Sequence, residues 1–229
     1  MKAVLKFGGS IFMPKEGADI DFIRELTSFL VTKIQEHEFA IVVGAGKFSR
    51  ECGALGREFT HDEDRLDMIG IMGARLNASI LIAALGDHAC PEIPRSEEEF
   101  TLLSKKYPGK IVIAGGFRPR QRTDAVAVEI AKEWGANLVI KGTNVDYVYD
   151  KDPSEFKDAK PLKNIDYKKL QELGDGEHTT ANAPTIMDAE AAKILIEEKI
   201  KIAIVNGKNL SNISKILSGE SFKGTKIGF

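Results

Sequence analysis

Cysteine is nearly absent: Cys52 and Cys90 are the only two in 229 residues, they form no Cys-x-x-Cys, and no paired histidines stand near them. That argues against a disulfide framework or a cysteine-based metal module. It fits a reducing compartment in which both thiols are ordinary or buried. An excess of charge of one sign is also missing. Against 34 Asp and Glu stand 32 Lys and Arg, leaving a net charge of −2 with the cations spread along the chain. Bulk electrostatics therefore gives no ground for a nucleic-acid or membrane partner, although a local basic site stays open. No apolar run is long enough to span a bilayer. Met1 leads straight into a strand pattern, with no apolar h-region or cleavage site. The expectation is a cytoplasmic protein.

Several catalytic signatures are lacking as well. The four histidines, His37, His61, His88 and His178, are scattered in mostly polar surroundings and read as surface residues. No Ser–His–Asp or Cys–His arrangement stands out, and no His-Glu-x-x-His or carboxylate cluster has metal-ligand spacing. A Walker A loop is absent. Gly44-Ala45-Gly46-Lys47-Phe48-Ser49 approaches Gly-x-Gly-x-x-Gly but ends on Ser49. It also lacks the acid that closes a second strand about 20 residues on in a dinucleotide fold. There is no internal repeat, no low-complexity segment and no linker long enough to separate independent domains.

What is present is a chain of 43% hydrophobic and 29% charged residues, enough for one large domain or two lobes sharing a sheet. Short apolar runs at Ala3–Phe7, Ala40–Val43, Ile111–Ala114, Leu138–Ile140 and Ile202–Val205 predict strands. Helical spacing predicts helices over Asp21–Glu36, from Lys47 towards Glu58, through Leu76 and Leu85 after the charged stretch Thr60–Arg65, from near Thr123 through Trp134, and around Ala192–Ile196, where Asp188 is a candidate cap. Asn144 to Tyr149 reads as a loop, and Lys226–Phe229 as a closing edge strand. Strands alternating with helices imply an α/β fold, a three-layer αβα arrangement around a mostly parallel sheet.

Three of these strands run directly into glycine loops: Gly8-Gly9, Gly44-Ala45-Gly46 and Gly115-Gly116. Glycine lets backbone N–H groups close on a phosphate, and a following helix N-terminus adds favourable partial charge. Each loop has suitable polar side chains beside it: Lys6 and Ser10, Lys47 and Arg50, Arg118 and Thr123. In open α/β sheets ligands bind outside the carboxyl ends of the strands, where these loops converge.

The motifs in order resemble a known family. Val4-Leu5-Lys6-Phe7-Gly8-Gly9-Ser10 resembles the Lys-x-Gly-Gly-Ser opening of the amino acid kinases, and Val42–Lys47 their second glycine loop. Thr123-Asp124-Ala125-Val126-Ala127 and Thr143-Asn144-Val145-Asp146, with Val148-Tyr149 and Asp152-Pro153, are similar to segments of the UMP kinases in that family. The short length, Arg75-Leu76-Asn77-Ala78, Met187-Asp188 and Ala191-Ala192-Lys193 resemble the archaeal type. The likeness runs from Met1 to about Lys226.

The resemblance implies an ATP-dependent phosphotransferase acting on UMP within pyrimidine nucleotide synthesis, with Mg²⁺ arriving on the nucleotide phosphates and the subunits forming a hexamer. It implies one domain over 1–229, with about 1–140 binding the acceptor and about 141–229 binding ATP. Lys6, Asp124 and Lys141 would be catalytic, the two lysines against the transferring phosphoryl group and Asp124 orienting them. Gly8, Gly9, Ser10, Thr143, Asn144, Tyr149 and Asp152 would hold ATP. Gly44, Ala45, Gly46 and Arg50 would hold the acceptor monophosphate, with Gly46 and Arg50 also counted on the ATP side. Asp67 would meet the ribose hydroxyls, and Gly115, Gly116, Phe117, Arg118, Pro119, Arg120, Gln121, Arg122 and Thr123 would enclose the nucleoside.

The same residues have plainer readings. Thr123 or Asp124 would serve equally well as a helix cap, and Tyr149 as packing. Three substitutions also depart from the family pattern. Ala45 and Tyr147 stand where glycine is usual, and Arg118–Thr123 replaces a Pro-Gly-x-Thr-Thr run, with Arg120 for glycine and Arg122 for threonine. Tyrosine resists a positive φ, and an arginine fork grips anions as a hydroxyl cannot. A kinase for another anionic acceptor, or a binding protein without turnover, therefore remain alternatives at this stage.

Overall fold

A computed structural model of the chain describes residues 1–14, 17–151, 153, 155–174 and 187–229. Its strands are β1 (Lys2–Phe7), β2 (Glu38–Val43), β3 (Val112–Ala114), β4 (Leu138–Thr143), β5 (Val148–Tyr149), β6 (Pro161–Leu162), β7 (Asn164–Ile165), β8 (Lys201–Asn206) and β9 (Thr225–Ile227). The helices are α1 (Gly9–Phe12), α2 (Ile20–Lys33), α3 (Gly46–Arg57), α4 (Glu63–Leu85), α5 (Glu97–Lys106), α6 (Thr123–Trp134), α7 (Tyr167–Gly174), α8 (Ala189–Glu198) and α9 (Leu210–Leu217). Among the described residues the main sheet runs β3-β2-β1-β4-β8-β9-β7. Every pair in it is parallel except β8 with β9.

The central strands are apolar along nearly their whole length because helices cover both faces. Ala3 and Leu5 face a core with Leu26 and Leu30 of α2, Ala78 and Leu81 of α4, and Ile213 of α9. Val4 faces the opposite core, with Phe100 of α5, Val126 and Ile130 of α6, and Leu195 of α8. Side chains alternate across a strand, so Lys6 lies on the second face, two residues beyond Val4. Register then sets its neighbours: Lys6 is opposite Val42 on one side and Lys141 on the other.

Helix starts follow their caps. Asp19 accepts from Phe22 N at 3.1 Å, Ser96 from Glu99 N at 3.2 Å, and Asp188 from Ala191 N at 2.9 Å. The cap expected at Asp188 is therefore present. Several expectations need correction. The first long helix ends at Lys33, not Glu36, and Ile111 makes an isolated bridge to Ala89 outside β3. The C-terminal strand is not an edge, because β9 sits between β8 and β7. Val148-Tyr149, read as loop, pairs with Pro161-Leu162 in a small antiparallel ribbon.

α4 also corrects the expectation about apolar length. By length and composition it is apolar enough to cross a bilayer. Here its inner face packs into the core, while Met68, Met72 and Leu76 are exposed, as are Phe48, Leu55 and Phe59 on and just after α3. Among the histidines, His37 is not a surface residue. Its side chain is only 11% exposed, and its Nδ1 is buried without a partner among the described residues. His178 lies outside the described residues.

Candidate active site

The first two glycine loops touch. Gly44 N donates to Phe7 O at 2.9 Å, which brings the end of β2 beside the end of β1. A Cβ on Gly9 would stand 2.5 Å from Gly44 O and 2.6 Å from Gly46 Cα, both backbone atoms that cannot swing aside. Gly46 has φ of +81°, which glycine adopts freely. Ala45 has φ −71° and ψ −34°, ordinary helical backbone, so its replacement of glycine is harmless. Buried Asn77 of α4 donates through Nδ2 to Gly44 O at 2.8 Å and Ala45 O at 3.1 Å. This turns the loop carbonyls towards α4. The first-turn amides of α3 have no helical acceptor. Arg50, nearby on α3, is exposed and forms no ion pair with a described residue.

Lys6 and Lys141 converge on Asp124 in the first turn of α6. Lys6 Nζ is 2.9 Å from Oδ1 and Lys141 Nζ is 2.8 Å from Oδ2, with all three side chains 11–14% exposed. The helix cap position is Arg122, and it makes no side-chain cap bond. The carboxylate is therefore directed to the lysines rather than used as a cap. Burial alone would raise the Asp124 pKa, but Lys141 and then Lys6 outweigh it and hold the group at about 2. Burial lowers the Lys141 pKa, against the pull of Asp124. Two ammonium groups thus converge on one carboxylate at the strand ends.

The third loop is placed differently from the expectation. Gly115 and Gly116 lie against the α4 backbone and Ile71, and Arg75 of α4 donates to Gly116 O at 3.1 Å and Phe117 O at 3.2 Å. Phe117 is 6% exposed and packs into the core, so its side chain does not face an acceptor. Arg118 turns to carboxylates: Glu97 and Glu129 at 2.7 Å and Glu190 at 3.1 Å. Gln121 Nε2 donates to Glu129 at 2.6 Å. Burial, with Glu97 beside it, pushes the Glu129 carboxyl up to about 7.

Arg120 has φ of +62°. It is therefore the position where the family's glycine has a backbone reason, whereas Tyr147 is not among the residues with positive φ. The left-handed conformation costs a non-glycine residue about 1–2 kcal/mol. Arg120 N donates to Asp67 Oδ2 at 2.7 Å, and its guanidinium pairs with Asp64 at 2.8 Å. Asp67 is thus held by the loop's own backbone and keeps Oδ1 without a described partner. Pro119 is half-buried, and Arg122 is exposed without an ion pair to a described residue.

Opposite these loops, Asn144 Nδ2 donates to Ser10 Oγ at 3.0 Å, joining the first loop to the segment after β4. Thr143 Oγ1 donates to Val145 O at 2.8 Å, and the ring of Tyr149 stands edge-on to Tyr147 at 6.4 Å. Gly8 N donates to Gly142 O at 3.3 Å. Asp152 lies outside the described residues.

Four positioning side chains escaped the sequence reading of the site. Asn77 and Glu129 are single polar residues on otherwise apolar helix faces, a signal that was available. Arg75 was read only as part of a likeness. Asp188 was read as a cap and as part of the likeness, yet it feels the Asp124 charge and acts electrostatically on Lys141.

The chain belongs to the amino acid kinase family, which it matches over residues 1–206. It is 43% identical to a uridylate kinase of Methanocaldococcus jannaschii over 228 residues, covering 98% of this chain and 100% of that protein. A uridylate kinase of Thermococcus kodakarensis is 39% identical, covering 96% of each. The crystal structure of the uridylate kinase from Archaeoglobus fulgidus superposes with a TM-score of 0.84 at 34% identity, covering 99% of this chain and 100% of that one.

Proposed function

We propose that this protein is a UMP kinase, which transfers the γ-phosphoryl group of ATP to UMP and supplies UDP to pyrimidine nucleotide synthesis. The observation that carries the reading is the Lys6–Asp124–Lys141 cluster on the strand, helix and loop ends where two glycine loops meet. The uridylate kinases similar over the full chain support the acceptor.

The nucleophile is a phosphate oxygen of UMP. With a second pKa near ~6, that group is already ionised at neutral pH and needs no general base. What the reaction needs is alignment and neutralisation of charge on the transferring group. Lys6 and Lys141 supply the charge. Asp124, ionised throughout, holds both in place and takes no proton. The Gly9–Ser10 and Ala45–Gly46 amides grip the two phosphate ends, while Gly8 N and Gly44 N, bound to Gly142 O and Phe7 O, shape the loops; Arg50 and Arg122 are exposed cations beside them. Asp67 Oδ1 is the acceptor for a ribose hydroxyl. Thr143, Asn144 and Tyr149 lie on the ATP side. Residues 1–140 form the acceptor lobe and 141–229 the ATP lobe of one domain.

Mg²⁺ enters with ATP. No group of three or more His, Cys, Asp or Glu among the described residues is arranged to hold a metal. That fits an ion carried by phosphate oxygens and water, whose chemistry is to neutralise phosphate charge. The exposed apolar side chains of α3 and α4 fit a subunit contact, in keeping with a cytoplasmic hexamer. Of the two arginines that depart from the family pattern, Arg120 is engaged by Asp64 and gives little reason to expect a different anionic acceptor; Arg122, exposed and without an ion pair to a described residue, is the one left to favour another.

The test is incubation of purified protein with ATP, Mg²⁺ and each of UMP, CMP, dUMP, AMP and GMP. UDP formation well above the other products is expected. Absence of UDP refutes the reading, and loss of turnover on chelation checks the metal.

A further inference from the structure

α6 is apolar wherever it meets the sheet. Residues Ala125 to Ala131 are all buried, and Glu129 is the only charged one among them. A carboxylate in such a place requires partners. Two come from the loop that leads into the same helix, and Glu97 of α5 stands beside them. Glu129 Oε1 accepts from Arg118 Nη2 at 2.7 Å, and Oε2 accepts from Gln121 Nε2 at 2.6 Å. The guanidinium of Arg118 continues to Glu97 of α5 and Glu190 of α8. The loop is therefore tied on both sides of Arg120, whose own N–H sits on Asp67 of α4. Beside Glu129 lies a cavity of about 760 Å³, bounded by Glu97, Leu102, Arg118, Lys132 and Ile194 among others. Phe117 anchors the start of the loop in the core, and from Arg118 to Gln121 these polar bonds tie it to α6.

We propose that Glu129 is a positioning residue for the acceptor: by holding Arg118 and Gln121 it keeps the Arg120 N–H on Asp67 and keeps both side chains out of the acceptor's space. The role rests on the reading of Asp67 and this loop as the UMP site. Glu129 touches no substrate and acts only through the loop.

The variants are Glu129→Gln and Glu129→Met. Gln121 Oε1 is buried without a partner among the described residues, so an amide at position 129 has an acceptor to donate to and the chain should fold. It loses only the ionic hold on Arg118. Methionine removes both ties. The KM for UMP should rise about threefold in Glu129→Gln and about tenfold in Glu129→Met, since each tie is a bond to a charged group. The kcat and the KM for ATP should stay within about twofold. Limited trypsin digestion adds a readout that needs no acceptor. Cleavage after Arg120 and Arg122 should quicken from native to Gln to Met, whereas Arg118 precedes proline and resists.

An unchanged KM for UMP in both variants overturns the proposal. So does a joint rise of both KM values with a fall in Tm, which marks a merely structural residue. If native protein forms no UDP, the acceptor reading fails by itself, and equal cleavage rates in all three proteins then overturn the anchoring as well.

Discussion

Lys141 Nζ meets Asp124 Oδ2 at 2.8 Å with both side chains almost wholly covered, and the other carboxylate oxygen is left to Lys6. Asp124 is held at about 2 in the folded chain against 3.8 ordinarily. The group therefore stabilises the fold fully above 3.8, and that contribution is lost as pH falls towards 2. Asp124→Asn should remove this acid-side slope in denaturant titrations between pH 4 and 2. At neutral pH it removes the carboxylate that both buried ammonium groups meet, which costs about 3–5 kcal/mol. The kcat should fall by about a hundredfold or more.

A methyl group at position 9 meets backbone, not side chain. Gly9→Ala should therefore separate the first two glycine loops rather than shift a rotamer. The expected loss is about 1–3 kcal/mol in equilibrium unfolding. Both KM values should rise together, because each loop belongs to one substrate. A variant with native stability and only one altered KM would contradict the contact.

Arg120 tests how much of the third loop is side chain and how much is backbone. Arg120→Gly relieves about 1–2 kcal/mol of left-handed strain and loses an exposed pair that contributes little. Unfolding should show equal or slightly greater stability. Arg120→Ala keeps the strain and loses the pair, so it should be the least stable of the three.

Asn77 holds two loop carbonyls with one amide. Asn77→Ala leaves buried acceptors unpaired, about 1–3 kcal/mol in denaturant unfolding, and should raise the KM for the acceptor. Asn77→Asp places carboxylate oxygens against the same carbonyls and should be worse than alanine on both measures. If the aspartate variant is the better of the two, the amide is not acting as the donor.

The fold was readable where periodicity was strong. β1, β2, β4 and β8 are apolar because both faces are covered, and α2, α4 and α6 carry clear helical stripes. α5 and α9 escaped because their sequences are polar or short enough to pass for loop, although Ser96 and Asn209 cap them in the usual way. The position of β9 is a matter of topology that no local pattern encodes. In the site, residue types at strand ends were legible; directions were not. Lys6 pointing at Asp124 follows from strand parity and the helix start. Arg118 pointing at three glutamates depends on α5, α6 and α8 meeting, and two of those acids lie far away in the chain. The left-handed Arg120 was flagged by its departure from a glycine pattern, but its engagement of Asp67 and Asp64 required the loop to fold back on α4.

Lys6 and Lys141 are also opposite residues on adjacent strands in the middle of the sheet. Their spacing is set by interstrand hydrogen bonds, the stiffest portion of the molecule, and not by any hinge or closing loop. Neither nucleotide has to assemble the charged pair on arrival, so either can bind first, and initial-rate patterns should be those of random-order addition. Any motion during turnover is left to the periphery, to the loops that admit and release ligands. The two ammonium groups keep their strand-set spacing from one cycle to the next.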